Sequence, residues 1–349
     1  LRTDLFDYEL PEELIATRPP KERSGGRLCV VLDSEVQHRA VVDLVDEVQA
    51  GDLVVLNETR VRQARLHVHR PKSADGGGGA RVELLFLHPL GGTDWAALGK
   101  ANRPLRVGDE LEAQDLSLRV KSRGSDGTLV LEVHGELESV LLRDGSMPIP
   151  PYMERIADDE DIERYQTVFS NELGSAAAPT AGLHLTEDMI SRMKAKGVRF
   201  AQVILHVGIG TFRPVKADDL DEHPMHSEDV EVGTLAAEEI AEARKRGGRV
   251  IAIGTTVVRA LESCADSTQL GQVLAQKKST NLLIQPGSEL RVVDALWTNF
   301  HQPRSTLLAL VSAFVGQERL MKVYAEAVSE SYRFLSYGDA MWIPKRLTS

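Results

Sequence analysis

Imidazole is the side chain whose ordinary pKa lies closest to neutrality, so a search for proton-transfer chemistry starts from histidines beside turns. The second half of this chain has five: His184, His206, His223, His226 and His301. His184, His206 and His301 are the candidate bases, and residue type alone does not rank them. His223-Pro224-Met225-His226 with Glu228 offers metal-ligand types. The H-E-x-x-H pairing is missing, however, and Pro224 works against placing both imidazoles on one helical face, so no metal is expected. Gly254-Thr255-Thr256, with Arg259 one turn later, reads as a helix N-terminus whose amides and hydroxyls would hold a carboxylate or phosphate. The same threonines also read as a plain N-cap. In His206-Val207-Gly208-Ile209-Gly210-Thr211-Phe212, two glycines one residue apart would let the backbone approach a ligand closely. No third glycine opens a helix there, as a dinucleotide fingerprint requires. The stretch from Trp297 through Asn299, Phe300, His301 and Arg304 to Ser305 gathers indole, amide, phenyl, imidazole and guanidinium groups within nine residues. Near the C-terminus, residues 332–341 mix aromatics with Asp339 and Gly338, a composition that favours packing.

Such loops need strands to hold them. Short, nearly continuous apolar runs at residues 27–32 and 52–57 have the composition of strands buried on both faces. Beyond Pro148-Ile149-Pro150-Pro151 the expected order is a helix over 187–196 capped by Thr186, a strand over 199–207, and a helix capped by Thr234 and ended at Gly247-Gly248. A strand over 249–253, a helix over 257–265, strands over 281–284 and 292–297, and helices after Ser305 and over 318–332 follow. A further short helix is expected over 11–16. This alternation predicts a mainly parallel sheet or barrel, with the polar loops at the carboxyl ends of its strands. Between about 65 and 145 the texture differs: short strands over 82–84, 116–121 and 129–134 are separated by turns at 73–79, 107–109 and 124–127. That pattern predicts a small antiparallel barrel. The expected organisation is therefore an α/β domain formed by 1–64 and 149–349, with an all-β domain, 65–148, inserted into it.

The chain has 349 residues, a net charge of −11 and two cysteines, Cys29 and Cys264, too far apart in sequence for a C-x-x-C pair. Neither a disulfide framework nor a thiolate metal site is expected, and a reducing, cytoplasmic setting fits. No apolar run approaches a membrane span, and Leu1-Arg2-Thr3-Asp4 does not open like a secretory signal. The acidic balance excludes nucleic-acid binding by bulk charge, so any RNA must meet a local basic patch.

In order along the chain, Phe6-Asp7-Tyr8-Glu9-Leu10-Pro11, Leu56-Asn57-Glu58-Thr59-Arg60-Val61, Ala178-Pro179-Thr180-Ala181-Gly182-Leu183-His184, the 206–212 loop, Gly254-Thr255-Thr256, Thr298-Asn299-Phe300-His301 and Ser336-Tyr337-Gly338-Asp339-Ala340-Met341 resemble one family. It is the S-adenosylmethionine:tRNA ribosyltransferase-isomerase family of queuosine biosynthesis. The chain departs from the family pattern at residues 22–27, at 285–290 and at Gln302, where leucine is usual. The resemblance implies an α/β-barrel-like domain with a small inserted β-barrel, and a monomer. It also implies transfer and isomerisation of the ribosyl part of S-adenosylmethionine onto 7-aminomethyl-7-deazaguanine at the wobble position of tRNA, giving epoxyqueuosine, adenine and methionine. S-adenosylmethionine is then a consumed substrate, and no cofactor is expected. Under this reading one of His184, His206 and His301 is the base, and Asp294 or Asp339 orients ribose hydroxyls or a histidine. Asn57, Thr59 and Arg60 suit a nucleobase or phosphate, and Gly254, Thr255, Thr256 and Arg259 a carboxylate or phosphate. Phe300 or Tyr337 faces adenine or the sulfonium, with Thr180, Gly182, Gly208, Gly210, Thr211 and Asn299 completing the binding site. The rival classes are a metal-dependent hydrolase on an α/β barrel, which would use the histidines as ligands, and a non-catalytic RNA-binding module built on the β insert alone.

Overall fold

The computed structural model describes residues 1–71, 79–125, 127–208, 215–225 and 227–347. Its framework is a nine-stranded mixed sheet, in the spatial order Gln276–Thr280, Glu228–Val232, Arg199–Leu205, Leu53–Asn57, Val250–Ile253, Ala295–Asn299, Ala340–Ile343, Arg27–Val31 and Val36–Ala40. The four strands from Arg199–Leu205 to Ala295–Asn299 run parallel to one another, so Leu205, Asn57, Ile253 and Asn299 end on the same edge. Ala340–Ile343 is antiparallel to its neighbour and pairs Ala340 with Asn299, which brings the loop before Ala340 to that edge as well.

Both faces of this sheet are covered, and the residues alternate accordingly. Leu53 and Val55 join one apolar core with Val257, Leu261 and Phe314, while Val54 and Leu56 join the other with Met189 and Met193. The continuous apolar run is thus the signature of a strand without a wet face. Helix Glu187–Ala195 begins as expected, with the Thr186 hydroxyl accepting from the Met189 amide. Ser305 caps Thr306–Val315 in the same way through the Leu308 amide.

The strands Arg65–His69, Arg81–Gly91, Asp94–Ala101, Glu110–Ala113, Leu116–Arg123 and Leu129–His134 close into an antiparallel barrel. Alternate residues, among them Leu66, Val68, Leu84, Phe86, Leu118 and Leu131, fill its interior. Of the three turns expected there, residues 73–78 and Asp126 lie outside the described residues.

Several local expectations differ from the structure. Residues 11–16 form only a 3-10 turn, Glu12–Leu14. Gly233, not Thr234, precedes the first turn of Thr234–Lys245, and no side chain caps it. Residues 281–284 are irregular, the strand instead being the polar Gln276–Thr280 at the sheet edge, and the 292–297 strand runs from Ala295 to Asn299. Among the described residues no helix is long and apolar enough to cross a membrane. Cys29 and Cys264 are buried thiols, and burial pushes Cys29 up to about 12.

Candidate active site

At the carboxyl edge of the parallel strands, Val250–Ile253 turns directly into helix Thr255–Ser263 through Gly254. Gly254 has φ +94° and ψ 154°, a conformation open essentially to glycine alone. The first amides of a helix have no partner within it, and here no side chain caps them. Thr255 and Thr256 therefore offer amides and hydroxyls to whatever occupies the cavity they line.

The neighbouring strand ends at Asn299, whose amide group is fixed from two sides. Its Oδ1 accepts from the Thr180 hydroxyl at 3.0 Å, and its Nδ2 meets His184 Nε2 at 3.3 Å. Trp297 one pleat earlier donates from Nε1 to the Ala181 carbonyl at 2.9 Å, tying the 179–184 turn to this strand. His301 follows with Nε2 3.0 Å from the Thr298 hydroxyl, its amide donating to the Tyr324 phenol at 2.9 Å and its carbonyl accepting from the Tyr8 hydroxyl. The other ring nitrogen of His301 has no partner among the described residues. Burial alone pushes this imidazole down to about 3. His184 is pushed down to about 4 by burial, with Arg333 and Arg23 adding positive charge nearby. Both are neutral at neutral pH.

These segments share one cavity. Of the expected site residues, Thr180, Gly254, Thr255, Thr256, Asn299, Phe300 and His301 line it. Phe300 is wholly buried and packs edge-on against Tyr324 and obliquely against Phe334, so its ring backs the wall. His184 stands behind Asn299. Tyr152, Ser305 and Ser336 also line the cavity, and the Tyr152 hydroxyl is bonded to Ser336. The sequence reading missed Tyr152, Tyr8 and Tyr324 as site-forming residues; Tyr8 lay within a quoted motif, and nothing in the pattern around Tyr152 marks it.

The remaining expectations fall elsewhere. His206 is half-buried, 2.9 Å from the Thr59 hydroxyl and stacked so tightly on Gly174 that a Cβ there would come within 2.5 Å of its ring. Asn57 bridges strand ends, taking the Leu205 amide and donating to the Leu205 carbonyl, so its amide serves the sheet. Arg60 is exposed. Gly182 packs against Phe169 and Thr167, and the Gly208 amide donates to Glu228. Arg259 is ion-paired with Glu228 and faces a second cavity.

Three further candidates are held by other partners, outside the lining of the cavity. Tyr337 donates to Asp161 at 2.8 Å and packs edge-on to Tyr165, away from the cavity. Asp339 spends both oxygens on the Arg27 and Arg333 amides, each at 2.8 Å, and bonds no histidine. Asp294 sits at the opposite end of its strand, holding Arg244 at 2.5 Å and the Val250 amide at 2.8 Å, beside the equally structural Asp52–Arg249 pair. Five residues of strand, about 17 Å, separate it from Asn299. Gly210 and Thr211 lie outside the described residues, as does His226. Among the described residues no three His, Cys, Asp or Glu side chains come together in a metal-holding group.

Comparison with known proteins matches residues 3–343 to the family model of queuosine biosynthesis proteins. S-adenosylmethionine:tRNA ribosyltransferase-isomerases of Sorangium cellulosum and Thermotoga petrophila are 48% and 42% identical to this chain. The first alignment covers 98% of both proteins, and the second 98% of this chain and all of the relative. The crystal structure of S-adenosylmethionine tRNA ribosyltransferase from Thermotoga maritima matches with a TM-score of 0.54 at 35% identity, over 97% of this chain and 99% of that one.

Proposed function

Since the chain belongs to the S-adenosylmethionine:tRNA ribosyltransferase-isomerase family of queuosine biosynthesis, we propose that the cavity at the carboxyl edge binds S-adenosylmethionine and builds epoxyqueuosine on tRNA. The acceptor is 7-aminomethyl-7-deazaguanine at the wobble position, and adenine and methionine are the leaving products. S-adenosylmethionine is consumed as a substrate, with no further cofactor.

His301 is the base in this scheme, because among the three candidate histidines it is the one that lines the cavity. The sulfonium acidifies the adjacent ribose carbon, and a neutral imidazole nitrogen takes its proton. A pKa near 3 leaves that nitrogen open at every physiological pH, though it makes the group a weak acceptor. The electron pair left on that carbon opens the sugar ring by breaking its neighbouring C–O bond to give a vinyl sulfonium, and the freed oxygen expels adenine as the anomeric carbon becomes an aldehyde, adenine taking up the proton held by the imidazole. The aminomethyl nitrogen adds to the vinyl carbon and loses a proton to water, the regenerated carbanion closes a five-membered carbocycle on the aldehyde carbon, and the resulting alkoxide forms the epoxide as the methionine sulfur leaves with its bonding electrons. Thr255 and Thr256 present amides and hydroxyls suited to substrate oxygens. Asn299, held by Thr180 and His184, keeps one N–H and one lone pair for the sugar or base.

The inserted barrel offers the local basic patch that an acidic chain needs for RNA. Residues 65–134 carry ten Lys and Arg against nine Asp and Glu, whereas the whole chain is at −11. Arg81, Lys100, Arg103, Arg106 and Arg123 are exposed toward one rim of the barrel, and among the described residues no carboxylate pairs with them, although Glu110 and Glu112 are exposed nearby.

The observation that carries the proposal is the convergence of Thr180, Gly254–Thr256 and Asn299–His301 on one cavity. The test is incubation with S-adenosylmethionine and tRNA bearing the 7-aminomethyl base, followed by identification of the small products. Adenine with methionine supports the reading; S-adenosylhomocysteine, or no turnover, refutes it.

A further inference from the structure

Beside the main cavity lies a second, lined by Leu282, Ile284, Leu307 and Leu310 on its apolar side and by His223, Met225 and Thr306 elsewhere. Leu307 lines both cavities. At the polar end of the second cavity sits the Arg259–Glu228 pair, with side chains only 7% and 3% exposed. Glu228 holds one Arg259 nitrogen and also accepts from the Gly208 amide at 3.0 Å. Arg259 Nε donates to the Leu282 carbonyl at 3.3 Å. The remaining guanidinium nitrogen, Nη2, is buried without a hydrogen-bond partner among the described residues. A buried donor of this kind costs free energy unless something occupies it, and a charged one costs more.

What would satisfy that nitrogen is an anionic oxygen, reached through an apolar sleeve and standing beside a carboxylate. An α-amino acid with an unbranched thioether side chain has these features in the same order. Its carboxylate meets Arg259, its ammonium is favoured by the negative charge of Glu228, and its methylene and sulfur atoms lie along the leucines. Arg259 is four residues beyond Thr255 on one helix, about 6 Å deeper at 1.5 Å per residue and on the same face. A ligand with its ribose at Thr255 and its sulfonium next to Leu307 therefore reaches Arg259 with a short aliphatic chain.

Resting on the function proposed above, we propose that this second cavity is the subsite for the methionine end of S-adenosylmethionine, read by Arg259 through its carboxylate. The subsite makes the amino-acid end a specificity element and fixes the direction in which the nucleoside enters.

The test compares binding of S-adenosylmethionine and of its decarboxylated form to the full chain by calorimetry, with adenosine as a control ligand for the first cavity. The variants are Arg259→Lys, which keeps a charge opposite Glu228 but loses the guanidinium fork, and the double variant Arg259→Met with Glu228→Gln, which removes both buried charges together. The wild type is expected to prefer the carboxylate-bearing form by about tenfold to a hundredfold, the range for one charge-assisted hydrogen bond. In both variants that ratio falls to within about threefold while adenosine binding is kept. Variants that bind adenosine normally and retain the wild-type ratio overturn the subsite. So does a wild type that releases adenine on tRNA but shows no preference between the two forms. A wild type that binds neither form overturns the subsite together with the reading beneath it.

Discussion

Replacing His301 with glutamine separates its proton-transfer role from its place in the fold. Glutamine can still meet the Thr298 hydroxyl, but it cannot take a proton from carbon. As the base, His301 contributes about 10²- to 10⁴-fold in turnover, so kcat falls by that factor while the KM for S-adenosylmethionine changes by only a few-fold. The same substitution has a pH signature. The folded state holds this imidazole near 3, whereas the unfolded chain titrates near 6.5. Protonation therefore favours the unfolded state, and stability present above pH 6.5 is lost as the pH falls toward 3. At pH 5 the unfolded histidine is almost fully charged and the folded one is not, a difference of about 1.5 pH units or roughly 2 kcal/mol at 1.36 kcal/mol per unit. Denaturant titrations at pH 7.5 and 5.0, followed by the fluorescence of the buried Trp297 and Trp342, measure it. The wild type should lose about 2 kcal/mol more than His301→Gln between the two conditions. Equal losses would show that His301 is not held neutral by burial, and turnover within threefold of wild type would remove it as the base.

Three further outcomes follow from the geometry. Asp294→Asn weakens the clamp on Arg244 at the far edge of the sheet, so the denaturation midpoint should drop by the equivalent of about 1–3 kcal/mol with kcat and KM unchanged at a temperature where the protein stays folded. Gly254→Ala forces a side chain into a glycine-only conformation at +94° and should cost about 1–3 kcal/mol, raising the KM for S-adenosylmethionine as the helix start shifts. Arg103→Ser with Arg106→Ser should reduce the slope of log tRNA affinity against log salt by about one to two and leave S-adenosylmethionine binding unaffected, as read by filter binding at several salt concentrations.

The parts of the site legible in the sequence are those set by short-range rules. A buried parallel strand followed by glycine and two threonines can hardly be anything but a strand-to-helix turn, and Gly254–Thr256 is one. Along residues 296–300 the strand period of two sends Leu296 and Phe300 into one core and Trp297 into the other, on the side where Asn299 meets His184. That separation is readable once the strand is placed, but the apolar run predicts a strand over 292–297, with Asp294 inside it, whereas the strand begins at Ala295. An acid beside a strand is at the site only if it lies at the carboxyl end, and Asp294 immediately precedes this strand, at its amino end.

Tyr337 shows the other way in which sequence falls short. Its loop was placed on the correct edge, beside Ser336, which does line the cavity. The direction of a buried phenol, however, is settled by where an acceptor with lone pairs to share is found, because an unpaired hydroxyl in a core costs about 1–3 kcal/mol. That acceptor is Asp161, fully buried on helix Asp159–Arg164 and already gripped by Arg155. This helix is six residues long and opens with three acids, too short and too polar for apolar periodicity to reveal. With that partner hidden, the composition of 332–341 favours packing while the family resemblance offers Tyr337 or Phe300 to the ligand, and the sequence alone does not decide between them. The aromatic hydroxyl that lines the cavity beside Ser336 is that of Tyr152, which follows two prolines and is bonded to Ser336 across 184 positions of chain.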